Sequence, residues 1–252
     1  MNIVLRVLFI DLIKIKMISV ILSTNNEIRN NYLEQLLESI KNQDTKYELI
    51  IIDNWSTDNT LEICKKYTDD IYELKKSNRA QRLNLWLEKS SWDIILFNHP
   101  VSVLPNNVFS KIEDSINNGN KWGGLTHSFD SNNLLLKFTS WYSNNIRWKI
   151  KSIIYLDHCI FVESNLAKNV WWFPDVEIFE DTLFSYNLSK ISKWIILPYK
   201  IITSARRFTK RWIFKQSLLN QYLKIMFHLK ASDKWMNKMY EEKEWFNVNY
   251  KK

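Results

Sequence analysis

The chain has 252 residues, of which 46% are hydrophobic and 25% charged, enough for one large globular domain or a domain with an appendage. Three glycines are too few for a glycine-rich phosphate loop of the Walker or dinucleotide-binding type. The net charge of +8 favours anionic partners such as sugar nucleotides, acidic lipid or nucleic acid. Cys64 and Cys159 are predicted to be core residues rather than ligands or a disulfide, which fits a reducing compartment.

The first sixteen residues are predicted to form an extension outside the fold. Residues 3–22 come nearest to a membrane-spanning run, but four charged residues interrupt it. No small-residue cleavage site follows, which argues against a signal peptide. Met17 stands directly before the first uninterrupted strand pattern, so the fold is expected to begin there.

Strand and helix patterns alternate through the first half of the chain. Apolar runs predict strands at residues 17–22, 47–53, 70–74 and 93–97. Helical spacing of apolar residues predicts helices at residues 31–41, 59–67 and 79–90. This order predicts an α/β fold with a mainly parallel sheet, right-handed crossovers and flanking helices.

The second half is less regular. The patterns predict helices at residues 108–117 and 180–192, strands at 122–127 and 194–197, and an extended segment at 153–162. Pro198 is expected to end the strand before it. Residues 132–152 show no clear pattern, and the chain becomes helical, basic and aromatic after Ser204.

Asp53 ends an apolar run that has no alternation, which is typical of a strand buried on both faces. Ligands of open α/β sheets bind at the carboxyl ends of such strands. A carboxylate there can accept hydrogen bonds from a nucleobase or a ribose hydroxyl, or it can simply form a turn. Ser56 and Asp58 are predicted to be turn and helix-capping residues.

Three segments of the first half, in order, resemble family 2 glycosyltransferases with the Rossmann-like GT-A fold. Residues 18–27 (ISVILSTNNE) are similar to that family's strand and T-x-N-E start, residues 53–60 (DNWSTDNT) to its D-x-x-S-T-D-x-T signature, and residues 78–84 (NRAQRLN) to its R-A-x-x-x-N segment. Residues 156–158, 173–174, 180–181 and 203–208 resemble the G-D-Q, G-F-P, E-D and T-S-A-R-R-W motifs of one bacterial subgroup. The resemblance spans about residues 17–245 and implies a GT-A domain at 17–205 with a helical segment, 206–252, packed on it.

The resemblance implies a donor site for a nucleotide-diphosphate sugar. Its donor-binding residues would be Thr24, Glu27, Asp53, Arg79, Asn84 and His99. Arg79 would pair with the diphosphate through its forked guanidinium. Glu27 can instead be a first-turn helix acid, and Asn84 a turn cap. Arg82 has no counterpart in the family motif and is predicted to lie on a solvated helix face.

The segment that should bind a metal departs from the family pattern. Residues 96–105 (LFNHPVSVLP) resemble L-F-L-H-A-D-T-x-L-P, whose Asp would bind Mn²⁺ or Mg²⁺ against the diphosphate. Val101 stands at that position and cannot ligate a cation, which leaves His99 as the matching metal ligand, although imidazole prefers softer metals. Two interpretations stay open: Arg206, Arg207 and Lys210 neutralise the diphosphate with little or no metal, or the protein binds a nucleotide or a partner without catalysis.

The acceptor side is implied by the E-D and G-D-Q motifs. Asp181 would be the general base of an inverting sugar transfer of the hexosyltransferase class, and like-charge repulsion from Glu180 would raise its pKa. Both acids can alternatively cap the helix that begins there. Asp157 would face the acceptor or the donor sugar, and Arg206 and Arg207 would lie on the acceptor or diphosphate side.

Residues 211–230 predict an amphipathic basic helix that packs on the domain or rests on an anionic membrane. The expected partners are therefore a nucleotide-sugar donor, a glycan or lipid-linked acceptor, and a membrane surface. The expected location is the cytoplasm, in solution or at the cytoplasmic face of a membrane. Binding of nucleic acid by a basic surface with many tryptophans is a third interpretation, but most tryptophans occupy periodic apolar positions and no nucleic acid is expected.

Overall fold

The structure is a computed structural model that describes residues 17–28, 31–170, 172–210 and 212–241. The predicted extension at 1–16 and the end of the tail, 242–252, lie outside the described residues. The strands are β1 (Ile18–Thr24), β2 (Tyr47–Asp53), β3 (Ile71–Glu73), β4 (Ile94–Asn98), β5 (Ser102–Val103), β6 (Trp122–Phe129), β7 (Ile160–Glu163) and β8 (Ile195–Thr203). The helices are α1 (Tyr32–Lys41), α2 (Thr60–Cys64), α3 (Arg79–Asn84), α4 (Trp86–Lys89), α5 (Val108–Asn117), α6 (Leu134–Tyr142), α7 (Trp148–Lys151), α8 (Ser164–Asn169), α9 (Glu180–Ile191), α10 (Arg206–Lys210), α11 (Ile213–His228) and α12 (Asp233–Glu241).

One sheet carries the fold, with the strand order β3-β2-β1-β4-β7-β6-β8-β5. β1 pairs in parallel with β2 and β4, and β2 with β3, so their carboxyl ends meet at one edge. β7 runs antiparallel to β4 and β6, whereas β6 and β8 are parallel. The predicted α/β class, with a mainly parallel sheet flanked by helices and followed by a helical tail, is confirmed.

Apolar layers cover both faces of the sheet. In β1, Ile18, Val20 and Leu22 pack in one layer with α1 and α5, while Ile21 packs in the other with residues of α3, α8 and α9. Burial on both faces explains why the parallel strands are continuous apolar runs. Both cysteines are buried in the first layer, as predicted.

Two predicted boundaries are wrong for reasons of tertiary structure. β8 does not stop at Pro198 but continues to Thr203, because its register against β6 shifts between Leu125 and Thr126. The shift leaves Pro198 without a partner in that ladder, and a bulge tolerates a residue that lacks an N–H group. The helix predicted over 79–90 is divided at residue 85 into α3 and α4.

The unassigned residues 132–152 are helical: α6 leads into a π-helical turn, Ser143–Arg147, and then into α7. A 3₁₀ turn, Leu156–His158, precedes β7, where an extended segment was predicted.

The C-terminal helices pack on the segment that leads into α9. Leu219 and Leu223 of α11 and Met236 of α12 form a small apolar cluster, and Ile178 and Phe179 pack against it. In the part of the chain that the structure describes, no helix has the length and apolar character to cross a bilayer.

Helix α11 has two apolar faces, whereas the sequence predicted one. Besides the packed face, large apolar side chains are exposed along the whole helix, at i, i+4, i+8 and i+11. A fifth exposed apolar residue follows directly after the last residue of the helix. We call these residues the α11 stripe: Phe214, Leu218, Tyr222, Ile225 and Leu229.

Candidate functional site

Thr24 and Asp53 meet at the carboxyl edge of the sheet, where they are paired in register. Thr24 Oγ1 donates to Asp53 Oδ2 over 2.6 Å, and Ser56 donates to the same carboxylate through its backbone N at 2.6 Å and its hydroxyl at 2.7 Å. Asp53 is fully buried. Its carboxylate therefore organises the β2–α2 turn, which carries a half-exposed Trp55 with a left-handed φ of 59°.

Glu27 and Arg206 connect the start of the chain to its C-terminal part at the same edge. Arg206 Nη2 donates to Glu27 Oε2 over 3.1 Å, and both side chains are largely buried. The Glu27 backbone N also donates to Thr60 Oγ1 over 2.8 Å. The basic motif at residues 203–208 thus lies next to the predicted nucleotide side of the site.

Arg79, the first residue of α3, donates through Nε to Glu180 Oε1. Glu180 is only 1% exposed, whereas Arg79 is 34% exposed. The second carboxylate oxygen of Glu180 is buried and has no hydrogen-bond partner among the described residues. The pair fixes one side of the guanidinium and leaves Arg79 accessible from solvent.

Asp181 lies beside this pair and is itself buried. Its Oδ2 accepts a hydrogen bond from the Leu156 backbone N at 3.2 Å, and its Oδ1 accepts one from the Thr182 backbone N at 2.7 Å. Burial, and then the charge of Glu180, raise the pKa of Asp181 to about 6. The N-cap of α9 is Phe179, so neither acid is the cap residue that the alternative interpretation required.

His158, the last residue of the 3₁₀ turn, is held in one tautomer. Arg147 Nη2 lies 2.8 Å from His158 Nε2, and His158 Nδ1 lies 2.9 Å from the Leu125 carbonyl oxygen. Because arginine can only donate, Nε2 must accept and Nδ1–H must donate, so the ring is neutral. Burial and the Arg147 charge lower the pKa of His158 to about 3.

Asp157, from the same 3₁₀ turn, lies with His127 and His99. Its Oδ2 is 3.8 Å from His127 Nε2, and its Oδ1 is buried without a hydrogen-bond partner in the described ranges. Burial would raise the pKa of Asp157, but the surrounding His127, His158 and Arg147 lower it to about 2. Asp157 is therefore an anion with an unused acceptor oxygen.

His99 follows β4 and has a buried Nδ1 that also lacks a partner within the described part of the chain. Burial, and then the charges of Arg79 and Arg207, lower its pKa to about 3. The contacts Arg79–Glu180, Arg206–Glu27 and Asp157–His127 each join residues that are far apart in sequence. Segments far apart in sequence thus converge on one rim of the sheet.

The position at which the family pattern has a metal-binding Asp offers no side-chain ligand, because Val101 occupies it. Val101 is buried in the turn after β4, and the Asn98 amide is engaged with Ser102 O and the His99 backbone N. No group of three or more His, Cys, Asp or Glu side chains among the described residues is arranged to hold a metal ion.

Asn84, Arg207 and Arg82 are engaged in contacts within the protein. Asn84 exchanges two hydrogen bonds with the Phe173 backbone, at 2.8 and 2.9 Å. Arg207 donates to Glu241 at 3.3 Å and stacks on Tyr240. The solvated position predicted for Arg82 is wrong: it is buried and donates to Ser23 Oγ over 2.7 Å, because its side chain reaches back towards the end of β1.

Sequence reasoning missed Arg147, His127 and His158. Arg147 lies in a stretch without a clear pattern, and His127 was assigned to a strand without a role. The one sequence signal for His158 is its place in residues 156–158, which resemble the G-D-Q motif. Trp55 was likewise quoted in the 53–60 segment, but its exposure follows only from the turn that Asp53 organises.

The family model for glycosyl transferase family 2 matches residues 19–159. The crystal structure of S. aureus TarS 1-349 is similar with a TM-score of 0.61 at 19% identity, covering 76% of this chain and 61% of that one. The structure of the same protein in complex with UDP is similar with a TM-score of 0.61 at 19% identity, covering 75% of this chain and 60% of that one. The mannosyltransferase PcManGT from Pyrobaculum calidifontis, in complex with GDP-Man and Mn²⁺, is similar with a TM-score of 0.52 at 16% identity, covering 73% of this chain and 56% of that one.

The chain thus spans less than two thirds of these structures, and its likeness to them shows a common fold. A comparison with curated protein sequences found no match. The family model covers more than half of the chain, including β1, β2, β4 and the Asp157 turn. The chain belongs to glycosyl transferase family 2.

Proposed function

We propose that this protein transfers a sugar from a nucleotide-diphosphate donor to a hydroxyl acceptor, with Asp181 as the general base. The observation that carries the proposal is a group of buried polar atoms without partners in the described residues: His99 Nδ1, Asp157 Oδ1 and Glu180 Oε2. Unsatisfied buried polar atoms are rare in folded proteins, and these three belong to segments that resemble the site motifs of family 2. UDP and GDP-Man in the similar structures support a nucleotide sugar as the ligand.

Two arginines, each paired with an acid, are proposed to neutralise the leaving diphosphate. Glu180 fixes Arg79 and Glu27 fixes Arg206, so both cations are positioned before the donor binds. A forked guanidinium pairs well with phosphate oxygens. Thr24 and Asp53 define the floor on which the nucleoside would rest, and Asp53 keeps acceptor capacity beyond its three hydrogen bonds.

The acceptor hydroxyl would attack the anomeric carbon while Asp181 takes its proton. A new bond forms between the acceptor oxygen and the sugar, and the bond from the sugar to the diphosphate breaks, with its electrons leaving on the diphosphate. The pKa of Asp181, about 6, keeps the carboxylate ionised at neutral pH but basic enough to accept a proton. The unused Oδ1 of Asp157 is suited to orient a donor or acceptor hydroxyl. Attack from the face opposite the diphosphate inverts the anomeric carbon.

Turnover of UDP- and GDP-sugars, with Mn²⁺ and with EDTA, tests this proposal. We expect donor hydrolysis that persists in EDTA and falls at least about 100-fold in Asp181→Asn. Asp114→Asn, an exposed acid of α5, is the matched control and should keep wild-type turnover. Turnover that survives in Asp181→Asn would exclude the base assignment.

A second candidate function is nucleotide binding without catalysis, favoured by the buried Val101 where the family has an acid. Loss of a metal's charge stabilisation costs several kcal/mol in a transition state, and about 1.4 kcal/mol is a tenfold change in rate. Calorimetry with UDP and GDP separates the two functions. Nucleotide binding without any donor turnover would support the silent protein.

We further propose that the outer face of α6 and α11 contacts an anionic membrane. Leu134, Phe138 and Trp141 form an exposed stripe on α6. An open groove of about 610 Å³, lined mainly by apolar residues, lies between the beginning of this stripe and that of the α11 stripe. Such a broad exposed apolar surface marks an interaction site. The positive charge of the chain selects an anionic lipid surface.

Cosedimentation with phosphatidylcholine vesicles, with and without phosphatidylglycerol, tests the membrane contact. Ile225→Ser should weaken binding to the anionic vesicles. Ile191→Ser is a close control because Ile191 is 56% exposed and Ile225 55% exposed, but Ile191 lies at the end of α9, outside both stripes. Equal binding of the two variants would refute this contact surface.

A further inference from the structure

A small cavity with three cationic side chains lies beside the proposed general base. Its volume is about 100 Å³, large enough for several water molecules and hence for a phosphate group. Arg147, Lys151 and Lys224 line it, together with aromatic residues that include Tyr155. No carboxylate is among its lining residues.

Among the described residues, Arg147, Lys151 and Lys224 form no direct ion pair with a carboxylate, and only the more distant charge of Asp157 acts on Arg147 and Lys224. Arg147 donates from Nη2 to the neutral His158 and stacks on Tyr155 at 3.9 Å from the ring centre, but its Nε is buried and has no hydrogen-bond partner in the described chain. Lys224 lies 5.9 Å from the centre of the same Tyr155 ring. A buried guanidinium donor without an acceptor calls for an anionic or polar ligand.

Repulsion among these cations affects the pKa of Lys224. Burial, and then the charges of Arg147 and Lys151, lower the pKa of Lys224 to about 8, while Asp157 opposes the shift. A bound anion would reverse this effect, because an opposite charge favours the protonated amine.

The cavity wall is continuous with the Asp181 site. Thr182 lines the cavity and donates its backbone N to Asp181, while Tyr155 lines it and precedes Leu156, which donates to the other Asp181 oxygen. A ligand in the cavity would therefore contact residues that either hydrogen-bond to Asp181 or directly precede a residue that does. The donor edge, formed by Thr24, Asp53 and Glu27, uses different residues.

We infer that this cavity binds a phosphate group of the acceptor, so that the protein acts on a phosphorylated acceptor whose hydroxyl is brought to Asp181. This inference rests on the proposed function, because the protein has an acceptor only if it transfers a sugar. The ligand chemistry is a phosphate monoester or diester, carried by a soluble molecule or by a lipid headgroup.

Titration with inorganic phosphate and with glycerol 3-phosphate tests the inference, using the full chain in saturating UDP so that the diphosphate region is occupied. Lys151→Gln and Lys224→Gln should weaken binding of both probes at least about tenfold, which is about 1.4 kcal/mol. Lys168→Gln, an exposed lysine of α8 outside the cavity, should bind like wild type. Absence of phosphate binding to wild type, or equal binding by all three variants, would overturn the inference.

Arg147 is not the first choice for substitution, because it also holds His158. UDP binding is measured in each preparation to separate the two proposals. Phosphate binding that depends on Lys151 and Lys224 without UDP binding would count against sugar transfer while keeping the cavity as an anion site. UDP binding without such phosphate binding would leave the proposed function intact and reject the phosphorylated acceptor.

Vesicles distinguish the two sources of the phosphate. A lipid headgroup predicts that Lys224→Gln loses cosedimentation with phosphatidic acid vesicles and that glycerol 3-phosphate competes with these vesicles for wild type. A soluble acceptor predicts that Lys224→Gln loses only the titration with the soluble probes. Both outcomes support an anion site in this cavity.

Discussion

Replacing Asp181 with Asn should stabilise the protein at neutral pH while abolishing turnover. Its folded pKa of about 6 exceeds the unfolded value of 3.8. The difference of about 2 units, at about 1.4 kcal/mol per unit, means that the ionised carboxylate costs the folded state about 3 kcal/mol above pH 6. Asn removes that cost but has one acceptor oxygen for two backbone donors, and the lost hydrogen bond subtracts about 1 kcal/mol.

The net gain for Asp181→Asn is therefore about 2 kcal/mol at pH 7.5. The sign of the pH dependence follows from proton binding: between pH 4 and 6 the folded state binds more protons than the unfolded state, so wild-type Asp181 lowers stability as pH rises. At pH 5 the carboxylate costs about 1.5 kcal/mol, and the gain shrinks to about 0.5 kcal/mol. Asn does not titrate, so the difference between the proteins must itself depend on pH.

Urea unfolding followed by tryptophan fluorescence at pH 5 and 7.5 measures both values, alongside donor turnover. Asp114→Asn is the control, since an exposed acid in an i,i+3 pair contributes below about 1 kcal/mol. A variant that is less stable than wild type at pH 7.5, or whose stability difference is the same at both pH values, would refute the assignment of a buried, destabilised carboxylate. Greater stability together with lost turnover would indicate a residue kept for function.

Three further predictions concern stability. Arg79→Met should lower the free energy of unfolding in urea by about 3–5 kcal/mol, because Glu180 would remain a buried charge without its partner. Arg79→Lys should restore part of this loss. His158 is buried, His99 has a buried Nδ1, and both rings are neutral with a pKa of about 3, so each should lower the free energy of unfolding by about 1.4 kcal/mol for each pH unit below about 6.5. His158→Gln can still donate to Leu125 and accept from Arg147, and it should remove one such contribution from the pH dependence of unfolding. An unchanged slope would contradict the neutral ring. Gly123→Ala should cost about 3 kcal/mol or more in the same assay, because its methyl group would lie 2.1 Å from the Ile195 carbonyl oxygen, and a wild-type midpoint would show that β6 and β8 are not so close.

The sequence predicts the parts of the fold that local periodicity determines. Tyr47–Asp53 and Val108–Asn117 have the predicted bounds, because an uninterrupted apolar run and a 3.6-residue apolar repeat each specify one structure. The course of β8 through Pro198 depends on a register shift against β6, which no local pattern contains. Residues 132–152 expose apolar side chains on their helices, so the contrast between a buried and a solvated face, on which the prediction relies, is missing.

The candidate site is predictable in its residue types but not in their pairing. Arg79 and Glu180 are separated by 101 positions, and Glu27 and Arg206 by 179, so the contacts that fix both arginines follow only from the fold. For Asp53, the strand-end position predicts a ligand contact but not the three internal hydrogen bonds from Thr24 and Ser56, which follow only from the fold. The burial of Arg82 could not be inferred either, because the Ser23 hydroxyl that accepts its hydrogen bond is 59 positions away.

Under the proposed function, the pairing of each arginine with an acid bears on how the diphosphate would be held where the family pattern has a metal-binding acid and this chain has Val101. A metal ion adds positive charge outright, whereas the pairs Arg79–Glu180 and Arg206–Glu27 are each neutral. Their contribution is therefore directional: the acid holds the guanidinium in a fixed orientation, as Glu180 does for the one-third exposed Arg79. Stabilisation of this kind depends on geometry more than on charge, so shortening Glu180 to Asp, which keeps the charge and moves the carboxylate, should slow donor turnover more than it weakens UDP binding.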